Sequence, residues 1–202
     1  MKTKCFFIAM ICLVSSGLFA QMDASKGTYW HPNPPNYKVK QALEVESLFY
    51  MFFTGGYHFG AGYRYGKFRV RVSVINGGDY DAEPAGFSNS KSEFKRYYKT
   101  SPGIFFGYNV WKNLELYTFT EFHTFEIEQK STGLKRDIHS TDFGGGVSYQ
   151  FFLGRHVYLQ PGLHLYLRSD KSVDFEDAQY TIPNVDFSPV LRIGCRLWKK
   201  EA

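Results

Sequence analysis

Residues 57–75 constrain the fold more than any other stretch of the chain. In YHFGAGYRY, the residues Tyr57, Phe59, Ala61, Tyr63 and Tyr65 alternate with His58, Gly60, Gly62 and Arg64. After Gly66-Lys67 the alternation resumes, with Phe68, Val70, Val72 and Val74 against Arg69, Arg71, Ser73 and Ile75. A period of two sends successive side chains to opposite faces of a strand. A two-residue connection containing glycine joins such strands as a hairpin. Each half has about the 9–11 residues that an oblique strand needs to cross a bilayer. Two settings suit this pattern. In a soluble sandwich or barrel the aromatic face packs inward and the arginines meet water. In a membrane barrel the aromatic face meets lipid and the arginines point into the lumen.

Aromatic residues make up 19% of the chain, with 20 Phe and 15 Tyr, a load that suits the aromatic girdles of a membrane barrel. Residues 1–20 have the form of a secretory signal peptide. Lys2 and Lys4 are followed by the apolar run Phe6–Val14, and Ser15–Ala20 leads to a cut after Ala20. That apolar run is shorter than the ~20 residues of a spanning helix, the form an uncleaved anchor would take. Cys5 and Cys12 fall inside the leader, so the processed chain keeps Cys195 and forms no internal disulfide. Loss of the two leader lysines takes the formal charge from +5 to +3, too mild to indicate a nucleic-acid partner.

Residues 21–39 contain Trp30-His31-Pro32-Asn33-Pro34-Pro35 and read as an extended periplasmic linker. The span 40–202 then offers eight strand candidates, at about 41–53, 57–65, 68–75, 99–108, 114–127, 141–152, 157–168 and 185–198. The first is expected to carry Leu43, Val45, Ser47, Phe49 and Met51 on its apolar face. Connections after the second, fourth and sixth strands are short, at 66–67, 109–113 and 153–156. Those after the third, fifth and seventh are long and polar, at 76–98, 128–140 and 169–184. Short turns on one rim and long loops on the other are the rhythm of an outer-membrane barrel, although the short 54–56 connection breaks it. The expected fold is therefore all-β, an eight-stranded antiparallel up-and-down transmembrane β-barrel.

In this register the lumen face collects Glu44, Glu46, Glu115, Glu121, Asp142 and Asp186. It also collects Arg64, Arg69, Arg71, Arg168, Arg192 and Arg196. An eight-stranded barrel is just wide enough for side chains to fill, and charges buried there must be paired. The plain alternative is a solvated face on a soluble sheet. Glycines on the same face, among them Gly103, Gly107, Gly144, Gly146 and Gly194, make room for long side chains. Pro102, Pro161 and Pro189 fall within strands and must sit at rims or bulges. The fifth strand is the weakest, because Tyr117 and Phe119 point inward while Thr118 and Thr120 face lipid.

With its leader, eight alternating segments, turn rhythm and apolar last strand, the chain resembles small outer-membrane β-barrels of the OmpA/OmpX type. Asn113-Leu114-Glu115-Leu116, Ser131-Thr132-Gly133 and Gly146-Val147-Ser148-Tyr149-Gln150-Phe151-Phe152 look more specifically like the porin-like barrels of Bacteroidetes-type bacteria. The family's last strand usually ends on an aromatic residue, whereas here Trp198 is followed by Lys199-Lys200-Glu201-Ala202.

Catalytic signals are weak. No histidine pair has the HExxH spacing of a zinc site, and His58, His123 and His164 fall on the lumen face as hydrogen-bonded interior residues. Some small barrels act on lipid A. His139-Ser140, with Asp137 and Asp142 nearby, is the one dipeptide that could pair a base with a nucleophile. Neighbours on a strand point to opposite faces, so a direct bond between them needs a bent loop. The glycines at 144–146 lack the Lys-Ser/Thr and helix of a phosphate loop. In the 76–98 loop, Asp79, Asp81 and Glu83 precede Lys91, Lys95, Arg96 and Lys99, an order that could take calcium or lipopolysaccharide phosphates but is more often a solvated surface. Phe87, Phe94, Tyr97 and Tyr98 there suit a girdle or a recognition surface.

The expectation is a non-enzymatic outer-membrane barrel with a structural or surface-recognition role and no catalytic residue, metal or cofactor. Its expected partners are outer-membrane lipid, lipopolysaccharide, the barrel-assembly machinery and an extracellular ligand at the long loops. The alternatives are a lipid-modifying enzyme of the lipid A class, a narrow passive pore and a secreted soluble β-barrel that binds a ligand.

Overall fold

The computed structural model describes residues 38–78, 93–169 and 172–201. The leader at 1–20, most of the linker at 21–39, and Asp79, Asp81, Glu83, Phe87 and Lys91 lie outside the described residues.

The described strands are β1 (Val39–Leu48), β2 (Tyr57–Tyr65), β3 (Phe68–Asn76), β4 (Phe94–Tyr98), β5 (Ser101–Trp111) and β6 (Leu114–Gln129). They continue with β7 (Lys135–Tyr149), β8 (Phe151–Leu153), β9 (Val157–Arg168), β10 (Ser172–Asp174), β11 (Gln179–Thr181) and β12 (Val185–Glu201). Each neighbouring pair is antiparallel, and β12 pairs with both β9 and β1, which closes the sheet. Two staves of the barrel are interrupted. β4 continues the line of β5 along β6, and β8 continues β7 along β9. The wall is thus an eight-stranded up-and-down barrel, with β10 and β11 as a separate hairpin.

The two ends differ. Tight turns with left-handed glycines, Gly66 at φ 56° and Gly154 at φ 86°, connect strands at the end that also holds Val39 and Glu201. The other end holds longer connections, but these carry more structure than their polarity suggests. The expected 128–140 loop is mostly strand, with β6 and β7 paired from Glu128–Lys135 down to Leu114–Tyr149. The first strand stops at Leu48 instead of about 53, and a single helical turn, α1 (Met51–Thr54), follows it. Met51 is buried with Leu48, Ile75 and Val190 at this mouth, and Ser47 donates to the His58 carbonyl at 2.7 Å. Met51 does not take the outward position that alternation assigned to it, whereas Ser47 does, cross-strand from Ile193 of β12.

β6 shows how the wall changes along its length. Leu116 and Phe122 are about half exposed on the outside, opposite buried Glu115, Glu121 and His123. Past Phe122 the polarity inverts while the alternation continues. Phe125 and Ile127 are fully buried inside, and Glu126 and Glu128 turn outward. The inward residues of this upper tier join Phe94, Ile138, Phe175, Tyr180 and Ile182 in an apolar core, which the β10–β11 hairpin helps to cover.

The three prolines sit where one neighbour is missing. Pro102 pairs with Val74 of β3, but the β5–β6 ladder starts one residue later, and the Ser101 hydroxyl instead accepts the Thr124 N–H at 3.0 Å. Pro161 lies opposite the break between β7 and β8. Pro189 lies beyond Arg192, where the pairing of β12 with β1 ends. The missing N–H therefore costs little ladder. Tyr117 and Phe119 face inward over the cross-strand partners Gly146 and Gly144, whose absent side chains make the space for the rings.

Candidate functional site

The lumen is the chemically densest part of the molecule. Alternation from β1, β2, β3, β6 and β12 brings five arginines and three glutamates into its lower tier, beside the tight turns. Glu44 is fully buried and accepts hydrogen bonds from Arg196 at 2.6 and 2.9 Å, while Arg69 Nε lies 2.9 Å from it. Glu46 faces Arg69, Arg71 and Arg192 at 2.8, 3.0 and 3.2 Å and accepts from the Tyr158 hydroxyl at 3.1 Å. Glu115 lies 3.4 Å from Arg64 and 3.6 Å from Arg69. Gln150 accepts from Arg64 at 3.0 Å, and Gln160 accepts from Arg69 at 3.1 Å and donates to Ser148 at 2.7 Å.

The upper tier is smaller and acidic. Asp142 accepts from Arg168 at 3.1 Å, from His123 Nδ1 at 2.9 Å and from the Ser140 hydroxyl. Half-buried Asp186 lies 3.0 Å from Arg168. Glu121 is buried but forms no ion pair with an arginine among the described residues; its carboxylate lies 3.8 Å from His123 Nε2. The pairing is thus uneven along the axis, with arginine in excess below and carboxylate in excess above.

An aromatic layer separates the tiers. Phe105, Tyr117 and Phe119 pack together, with Arg71 4.4 Å above the Phe105 ring. Arg192 donates to His164 Nε2 at 2.7 Å, which leaves the His164 Nδ1–H to donate to Tyr166 at 2.8 Å. Alternation sets Gln150 and Gln160 on the inner face, but it does not say which arginine they or Tyr158 meet, because polar uncharged residues carry no pairing signal of their own.

His139 and Ser140 do not meet. His139 faces outward, with its Nδ1 3.2 Å from Thr124 Oγ1, whereas Ser140 is buried inside. Ser140 stands cross-strand from His123, but its hydroxyl donates to Asp142 and does not engage the imidazole. The geometry of a base-activated nucleophile is therefore not formed there. Among the described residues no group of three His, Cys, Asp or Glu side chains is placed to hold a metal ion.

Outside the lumen, Lys99 donates to Asp137 at 2.7 and 2.8 Å, and Lys135 donates to Glu126 at 2.7 Å. The hydrogen bond from Lys135 holds the Glu126 carboxyl below its usual range, and the one to Asp137 holds the Lys99 ammonium above its own. These pairs are exposed and weak.

No protein-family model matches the chain, and no curated protein matches it. Solved structures show similarity. The N-terminal β-barrel domain of Pseudomonas aeruginosa OprF is 11% identical with a TM-score of 0.42, and the match covers 78% of this chain and 97% of that one. Neisserial surface protein A (NspA) is 14% identical with a TM-score of 0.41, covering 78% and 95%.

Proposed function

We propose that the chain is an outer-membrane β-barrel with a structural or surface-recognition role and no enzymatic one. The inversion within β6 carries this reading. A soluble barrel has no reason to expose Leu116 and Phe122 below and bury Phe125 and Ile127 above on the same strand. A hydrocarbon slab that ends near Phe122 demands both. Each of the eight staves adds to the outer apolar surface, with Val72 at 53%, Phe106 at 53% and Phe187 at 64% exposure. Such a continuous exterior is far larger than the apolar patches of soluble monomers.

Two observations shape the role. Ion-paired arginines and an aromatic layer fill the lumen, and the upper apolar core sits above them. This supports a wall that passes no large solute. In this reading the work falls to the outward parts, the β6–β7 extension and the β10–β11 hairpin, as proposed surfaces for lipopolysaccharide or an extracellular ligand. The finer likeness to Bacteroidetes-type barrels rests on the three short stretches named above. Cell fractionation tests the reading. The protein is expected in the outer-membrane fraction, with heat-modifiable migration in detergent gels. Recovery as a soluble monomer without detergent would overturn it.

A further inference from the structure

The rim formed by the tight turns is strongly cationic, and the barrel network does not use its charge. Lys40, Lys67, Lys112, Arg155 and Lys200 are exposed there and form no ion pair among the described residues. Backbone hydrogen bonds set them in a ring. The Lys40 carbonyl accepts from Gly66, the Lys67 carbonyl accepts from Asn109, and the His156 carbonyl accepts from Arg196. Lys200 is paired with Gln41, one residue from Lys40, which brings the ring round. Among the described residues Glu201 is the one exposed acid at this end, and Lys199 takes it at 2.9 Å. At the opposite end Lys99 and Lys135 are matched by Asp137, Glu126 and Glu128. A merely solvated surface would not be so lopsided.

The ring lies just beyond exposed aromatics, Tyr65, Phe68, Trp111, Phe151 and Trp198. Lys112 stands 4.4 Å over the Trp111 ring and Lys67 5.7 Å over Tyr108. Aromatic rings sit at the membrane–water boundary, so ammonium groups one step further out lie at headgroup depth. Resting on the membrane reading above, we propose that this collar binds the anionic phospholipid headgroups of the leaflet it faces. Charge complementarity selects phosphatidylglycerol-type lipid over zwitterionic lipid, and the flanking rings require the phosphate to arrive on a lipid and not free in solution.

Tryptophan quenching tests the collar. The chain with Trp30→Phe, so that Trp111 and Trp198 report, is reconstituted in mixed phosphatidylcholine/phosphatidylglycerol vesicles. One lipid or the other carries brominated chains. Brominated phosphatidylglycerol is expected to quench roughly twofold more than brominated phosphatidylcholine at equal mole fraction. The preference should fade in high salt and in Lys67→Gln/Lys112→Gln/Lys200→Gln, which keeps heat-modifiable migration, and should withstand excess inorganic phosphate. Equal quenching by the two lipids in the wild type, or an undiminished preference in the triple variant, would overturn the collar while leaving the barrel in its bilayer. Loss of the preference in inorganic phosphate would instead assign the site to free anions. Quenching by neither lipid would remove the membrane reading itself.

Discussion

Glu46 compensates three guanidinium groups, so its loss and the loss of one arginine are not equivalent. Glu46→Ala leaves Arg71 and Arg192 without a carboxylate, while Arg69 keeps Glu44, and is expected to cost about 3–5 kcal/mol. Arg71→Ala leaves Glu46 with two partners and should cost less. Equilibrium unfolding in micelles ranks the two, and the reverse order would show that water reaches this tier. Val72→Arg places a charge on the outer apolar face near mid-wall and, on the membrane reading, should cost about 2–4 kcal/mol in bilayers. Folding as good as wild type would mean that the apolar face does not meet lipid. Among the glycines, Gly145 faces outward, and an added Cβ there is 3.4 Å from the Tyr117 carbonyl. At Gly144 the Cβ collides with the Phe119 ring and the Leu165 carbonyl. Gly145→Ala should therefore fold normally, whereas Gly144→Ala should lose the heat-modified band.

Alternation over 57–75 and over the other barrel segments carries the strand count and the facing of most of the wall. It does not say which carboxylate meets which arginine, because that depends on the stagger of distant strands. Glu44 reaches Arg196 across the closure of β12 on β1, and Glu121 ends beside a histidine. The tips of β6 and β7 were illegible as strands for a specific reason. Beyond Ile127 and before Thr141 their outward residues Glu128, Lys135 and Asp137 are charged, and charge in a connection reads as loop. Met51 escaped the pattern because a helical turn replaces the last strand residues. The prolines were legible as trouble but not as a solution, since the broken staves that accommodate them leave no local signature. The hairpin of β10 and β11 packs through Phe175 and Tyr180 onto Phe94 and has no part in the charged tiers. Phe175→Ser/Tyr180→Ser is thus expected to raise amide exchange in 172–181 and leave β1–β3 protected. Loss of protection throughout would show that the upper core holds the whole barrel.

On the scale of the whole molecule, the filled lumen predicts flat single-channel recordings in planar bilayers; a steady conductance would mean that the arginine tier opens. The same filling bears on how such a chain comes to be made. Glu44 and Arg196 are 152 residues apart, and the other guanidinium groups around Glu44 and Glu46 come from β2, β3 and β12. Before the first and last strands meet, Arg192 and Arg196 of β12 lack Glu46 and Glu44 and have no dry interior to occupy. Contacts this distant in sequence form late. For Arg192 and Arg196, closure and neutralisation are then a single event, and on the membrane reading a nascent chain that stops short of its final segment leaves the lower tier incomplete.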